Sequence, residues 1–234
     1  MSNKPSIIHC RHCGNPLVAH TVICPYCGEK TGQRAQKEHP RFQVSVLKRN
    51  IPIPVVSLVL LCLNVICGIV KLLNGGQAFL MQYGMISGAL QRGEWQRLIL
   101  SNFLHANLLH LVSNMYPLMV YGFLLENRIG RLRYLLIYLA SMAGSTLLIN
   151  FIGGAYAIHM GASGAVFGLM TADLVYCLKT HKKFFHTLYS MHAVAGNVLY
   201  TVLTPGISWQ GHLGGALAGV LVSLLLIRGE QGRT

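Results

Sequence analysis

From residue 51 onward the chain reads as long apolar runs broken by short polar or glycine-bearing stretches. Residues 51–70 form twenty positions without a charge, enough to cross about 30 Å of hydrocarbon as a helix. Pro52 and Pro54 fall at its start, where a missing N–H costs least, and Asn74-Gly75-Gly76 ends it. A long semi-apolar connection, 77–107, follows. Further spans are expected at 108–125, 134–152 and 161–178, closed respectively by Glu126-Asn127-Arg128, Gly153-Gly154 and Lys179. The 44 residues of 184–227 hold no Lys, Arg, Asp or Glu and are too many for one helix; Pro205-Gly206 cuts them into a fifth and a sixth. The pattern predicts six transmembrane helices in an all-α membrane protein.

The cations set the orientation. With the N-terminus inside, Lys48, Arg49, Arg128, Arg131, Arg133, Lys179, Lys182, Lys183, Arg228 and Arg233 fall on the inner side, against Lys71, Arg92 and Arg97 outside. Both termini are therefore expected in the cytoplasm and the chain in the cell membrane. The first 50 residues lack the apolar core of a signal peptide, so the N-terminus is expected to stay where it is made.

This topology places polar side chains at one depth. His110 and Asn114 open the second predicted helix, Ser163 the fourth and His212 the sixth, all in the outer part of the membrane. Polar groups there are costly; one alone is more often interhelical hydrogen-bond glue, whereas four at one depth point to a functional site. Ser163 and His212 are flanked by small-xxx-small stripes, Gly164/Gly168 and Gly215/Gly219, that let two helices approach closely. A serine needs a base to take its proton, and His212 is the available one. His110 and Asn114 stand at i and i+4 and both can donate to a developing oxyanion. Asp173 lies ten residues beyond Ser163, near the inner end, and Glu126 is also at that surface. The chemistry predicted is a Ser–His dyad without a carboxylate. Glu126 is expected to cap a helix or to pair with Arg128 and Arg131.

Composition agrees with the pattern. Hydrophobic residues make up 53 % and charged residues 11 %, against about 25 % in soluble domains. Mean hydropathy is +0.48. These values exclude an ordinary soluble enzyme, a disordered tail and a disulfide-rich secreted module. The net charge of +13 would suggest nucleic acid in a soluble protein; here it reads as orientation and attraction to anionic headgroups.

Taken together, Gly161-Ala162-Ser163-Gly164, Gly211-His212-Leu213-Gly214-Gly215 and His110-Leu111-Val112-Ser113-Asn114 resemble the rhomboid intramembrane serine proteases. So do Glu94-Trp95-Gln96-Arg97-Leu98 and Phe103-Leu104-His105 in the first loop; the resemblance covers 51–227. It implies a six-helix rhomboid-type bundle with Ser163 as nucleophile, His212 as general base, and His110, Asn114 and the Ser163 N–H as the oxyanion hole. Gly161 and Gly164 match the nucleophile motif, and Glu126 matches an acid at the end of the second helix. Arg97 matches a structural, headgroup-facing loop residue. Some relatives place Tyr four residues after the serine, where this chain has Phe167; the ring is kept and the hydroxyl lost. The implied activity is cleavage of single-pass membrane proteins near the outer face of the bilayer, with no cofactor required for catalysis. The alternatives are a non-catalytic rhomboid-like binder or chaperone and, more distantly, a transporter. His105, His159, His186 and His192 are read as structural or interfacial.

The seven cysteines divide. Cys62, Cys67 and Cys177 lie in apolar runs and are read as packing residues. Cys10-Arg11-His12-Cys13 and Cys24-Pro25-Tyr26-Cys27 form two C-x-x-C pairs, each followed by glycine. Four such thiolates suit structural zinc, and an inner location keeps them reduced rather than paired in disulfides. His9 and His12 are alternative ligands only if a cysteine fails. The module resembles a short zinc ribbon. The organisation expected is thus a cytosolic zinc ribbon at 1–31, a basic linker at 32–50 and a protease domain at 51–234. Zinc ribbons bind proteins or nucleic acids or merely hold a fold, and the sequence does not choose among these uses; a protein partner is one of them, and nucleic acid is not expected.

Overall fold

The apolar runs fold as helices close to where the hydrophobic pattern sets them. A computed structural model describes residues 7–19, 21–31, 53–154, 157–180 and 184–228. The basic linker expected at 32–50 lies outside the described residues, as do Lys182, Lys183 and Arg233. The chain divides into two compact units, Met1–Asn50 and Ile51–Thr234. In the second, α1 spans Val55–Leu73, α2 Gln77–Tyr83, α3 Gln96–Leu100 and α4 Leu108–Ile129. Then come α5 at Arg131–Ile152, α6 at Ser163–Lys179, α7 at Phe184–Leu203 and α8 at Trp209–Leu226. Among the described residues, α1, α4, α5 and α8 are long and apolar enough to cross a membrane. The other two long helices are α6, with 17 residues that include Asp173 and Lys179, and α7, which carries His186, His192 and Asn197.

Three of these helices meet through glycine. An added Cβ on Gly215 or Gly219 of α8 would stand 1.9 Å from the Gly164 carbonyl oxygen or 2.4 Å from that of Gly168, both in α6. On the other flank of α6, Ser145 and Ser141 of α5 press against the same two glycines, and Gly144 of α5 meets Gly214 of α8. Backbones this close leave no room for any side chain, which is how helices attract one another where lipid removes the hydrophobic drive. Thr171 adds a bond from α6 to the Ala216 carbonyl of α8 at 3.2 Å. The larger side chains, Leu118, Leu125, Tyr134, Tyr138 and Leu169 among them, pack where α4, α5 and α6 face each other.

Helix ends are satisfied across the bundle. Pro54 precedes α1 and offers no side-chain cap. Glu126, in the last turn of α4, instead accepts from the backbone N–H groups of Val56 (3.0 Å) and Ser57 (2.8 Å) and from Ser57 Oγ (2.7 Å). This carboxylate is a helix cap supplied from another helix. Arg131 lies 3.9 Å from it, but Arg128 does not pair with it as the sequence reading allowed. Positions i and i+2 of a helix point apart. Arg128 reaches Asp173 of α6 and lies over the Tyr176 ring, while Asp173 also accepts from Ser190 of α7 at 2.7 Å.

The connection between α1 and α4 is an ordered structure built on long-range polar contacts. Lys71, buried in the last turn of α1, donates to the carbonyls of His105 and Ala106, each at 2.9 Å. Arg97 is held by partners of the loop itself. It pairs with Glu94 and donates to the carbonyls of Met81 and Gly84, so its charge is used within the loop. Asn150, near the end of α5, accepts from the Leu90 N–H, and Met85 pairs with His159 through two backbone bonds. α1 buries one stripe, Ser57, Leu60, Asn64 and Lys71, which explains why Cys62 is exposed and Cys67 half-buried rather than packed inside; Cys177 is buried.

In the first unit, β1 (Ile7–His9) pairs antiparallel with β2 (Pro16–Val18), Ile8 opposite Leu17. Among its described residues the buried apolar centre is Cys10, Leu17 and Cys24, with Ile8 packed against them.

Candidate active site

Ser163 is the first residue of α6. Gly161 turns the chain into it with φ +113°, a region that L side chains rarely adopt. Gly161 N donates to the Ser101 carbonyl at 2.9 Å, fixing the turn to the first connection. The Ala162 carbonyl accepts from Val166 N at 3.0 Å, so the N–H groups of Ser163, Gly164 and Ala165 have no partner within the helix. They form a donor set at the positive end of the helix.

Opposite them stand the first turns of α4, started by Asn107, whose side chain accepts from His110 N at 2.8 Å. His110 Nδ1 lies 3.4 Å from Ala106 N, an arrangement that suits a neutral ring carrying its proton on Nε2. His110 Nε2 lies 2.9 Å, and Asn114 Nδ2 3.8 Å, from where a Cβ on Gly161 would stand. Glycine at 161 is thus needed twice, for its φ and for the space that His110 fills. Asn114 Nδ2 gives one hydrogen to the His110 carbonyl at 2.8 Å and keeps a second.

His212 sits in the first turns of α8, whose start is capped by Ser208. The imidazole is buried and stacks on Phe167 of α6, ring centroids 4.2 Å apart and planes 17° from parallel. Its Nδ1 lies 2.8 Å from Thr201 Oγ1 of α7, and that hydroxyl is also 2.7 Å from the Asn197 carbonyl. Ser163, His212, His110 and Asn114 all line one cleft of about 590 Å³, whose walls include Pro117 of α4 and Tyr200 of α7. A separate polar cavity of about 20 Å³, room for one water, touches Ser163 and is bordered by Ser101, Asn102, Ser145 and Ser208. Gly164 does not face the cleft; it is pressed between Ser145 and the Gly211 carbonyl.

The four N-terminal cysteines form a second constellation. Their Sγ atoms all lie within 4.8 Å of one another, Cys10 and Cys27 at 3.8 Å and Cys13 and Cys24 at 3.6 Å. A tetrahedral ion with metal–sulfur bonds of about 2.3 Å has sulfur–sulfur edges of about 3.8 Å, so the thiols can hold a metal. Two matching turns build the site: Gly14 N donates to the Cys10 carbonyl and Gly28 N to the Cys24 carbonyl, each at 2.9 Å. The Asn15 backbone N–H and side-chain amide hold the Cys13 thiol down to about 6, favouring the thiolate that metals bind.

The rhomboid domain family matches residues 92–229 of the chain. The chain belongs to the rhomboid family. As a rhomboid it is similar to YdcA of Bacillus subtilis, 34 % identical over 154 residues that cover 60 % of this chain and 72 % of YdcA. It is similar also to rhomboid protease GluP of the same bacterium, 29 % identical over 198 residues, 82 % of this chain and 38 % of GluP. Rhomboid protease AarA of Providencia stuartii is 29 % identical over 160 residues, 58 % of this chain and 57 % of AarA. The rhomboid chain thus spans well under two thirds of GluP and AarA. The small unit that carries the cysteines precedes the matched rhomboid domain. Within that domain, sequence reasoning missed Thr201. A helical threonine bonded to the carbonyl four residues back gives no signal that a ring stands on its other side.

Proposed function

We propose that this rhomboid is an intramembrane serine endopeptidase acting through Ser163 and His212. The convergence of Ser163, His212, His110 and Asn114 on one cleft carries this reading, since three helix starts deliver them there from separate parts of the chain. His212 takes the Ser163 hydroxyl proton as Oγ attacks the scissile carbonyl. The oxyanion is received by the Ser163 N–H, His110 Nε2–H and Asn114 Nδ2–H, donors already in place before reaction. His212 then passes its proton to the leaving amine, and the acyl-enzyme remains on Ser163. Water attacks this ester with His212 again as base, releasing the carboxylate and restoring the hydroxyl. The one-water polar cavity beside Ser163 supports a supply of that water from within the fold.

The substrates are transmembrane or juxtamembrane segments of single-pass proteins, reached within the bilayer near its outer face. The topology proposed has six spans in the cell membrane and both ends in the cytoplasm; the asymmetry of Lys and Arg in the sequence supports this orientation. The ion of the N-terminal site is zinc, structural, held by Cys10, Cys13, Cys24 and Cys27, and the ribbon it shapes binds a protein partner. The division of the chain into a ribbon at 1–31, a linker at 32–50 and a protease domain at 51–234 belongs to the same proposal.

A fluorophosphonate probe, which reacts with activated serines, tests the chemistry. The wild type is expected to label and Ser163→Ala not to label. Equal labelling of both would sink the assignment. Absence of labelling in the wild type, with binding of membrane proteins retained, would favour the non-catalytic binder.

A further inference from the structure

We propose that Thr201 is the positioning residue for His212, filling with a hydroxyl the place that a carboxylate holds in a three-residue serine site. This inference rests on the function proposed above. Among the described residues no carboxylate contacts the ring, and Thr201 is the side chain that meets Nδ1. Satisfaction of donors and acceptors fixes the direction of both bonds. A threonine hydroxyl has one proton. The Asn197 carbonyl, 2.7 Å away, can only accept, so it takes that proton. The 2.8 Å contact to His212 must then be donated by the ring, from Nδ1–H to Oγ1.

One consequence is the tautomer. With its single proton on Nδ1, the neutral ring presents Nε2 as a bare lone pair, the form a general base needs. If the threonine hydroxyl turned to donate to Nδ1, it would lose its carbonyl and leave Nε2 protonated and useless as a base. A second consequence is orientation. Stacking on Phe167 fixes the plane of the imidazole but not its rotation within that plane; the Nδ1–H bond fixes the rotation. A third is charge. When His212 takes the serine proton, the same bond becomes charge-assisted and strengthens, and it is polarised further because Oγ1 itself donates to a carbonyl. Thr201 is buried and does not line the cleft, so it acts on the reaction only through the ring.

The test uses the full chain in detergent or bilayer discs. Thr201→Val keeps the volume and removes the hydroxyl; Thr201→Ser keeps the hydroxyl. The loss of one such bond predicts a fall of about tenfold in the fluorophosphonate labelling rate and in kcat on a membrane-embedded reporter, with KM unchanged. Thr201→Ser is expected to restore both to near the wild-type values. Melting midpoints of all three proteins confirm that folded protein is compared, and Thr201→Ala carries the same test if the valine variant does not fold. Labelling of Thr201→Val at the wild-type rate overturns the inference and leaves the protease reading standing. A loss that serine does not restore overturns it too, as a packing effect. Failure of the wild type itself to label removes the protease reading, and this inference with it.

Discussion

Asn114 illustrates how little freedom remains to a residue that works at the cleft. One amide hydrogen is committed to the His110 carbonyl and the other is uncommitted, while Oδ1 is buried without a partner among the described residues. Asn114→Ala deletes a single donor and leaves Ser163 and His212, the proposed nucleophile and base, untouched. It is expected to lower kcat on a membrane-embedded reporter by about 10²–10³, by analogy with loss of one oxyanion donor elsewhere, while labelling at Ser163 remains detectable. Steady-state cleavage with matched labelling measures the two together. At this scale the sequence was informative where geometry is local. The i, i+4 spacing of His110 and Asn114 already put both side chains on one face. It was silent on Thr201, because the ring it meets is eleven residues away across a chain reversal.

Elements are set by different physics. The predicted spans and the observed helices agree to within a few residues because apolar runs and glycine breaks are written in the sequence. The contacts that lock the helices were less legible. Glu126 meets Ser57 from 69 residues away and Lys71 meets His105 from 34, and neither charge carries a mark of its partner. The glycine stripes were legible as close-packing signals, and their contacts make a sharp forecast. A Cβ on Gly215 would stand 1.9 Å from a carbonyl oxygen, so α6 and α8 must part by roughly 1 Å even for alanine. Overpacking of this kind costs on the order of 1–3 kcal/mol or more. Gly215→Ala is expected to lower the melting midpoint and to suppress labelling of Ser163, although the residue touches no substrate. Gly196 of α7 provides the control, since an added Cβ there meets nothing within 4 Å. Gly196→Ala is expected to match the wild type in both measurements, and a wild-type result for Gly215→Ala would mean the helices tolerate separation at the site.

The whole molecule joins a metal-shaped unit to a membrane-shaped one, each with its own means of folding. Among its described residues the first buries three apolar side chains, a core of the size that a bound metal is expected to support. The second owes its order to helices, glycine contacts and crossed caps. Purified protein is expected to contain about one zinc per chain, and Cys24→Ser with Cys27→Ser to remove it while Ser163 still labels. Metal analysis and labelling on one preparation read both; a metal-free protein that folds but no longer labels would show the units to be coupled. Across the membrane unit, the acidic groups among the described residues are each committed: Glu94 to Arg97, Glu126 to the start of α1, and Asp173 to Arg128 and Ser190. This bears on which small molecules would stop the proposed reaction. A compound built to imitate a hydrated carbonyl between two carboxyl groups finds no such pair here. An electrophile that forms a bond to Ser163 and seats its oxygen between α4 and the start of α6 uses the donors the fold already holds out.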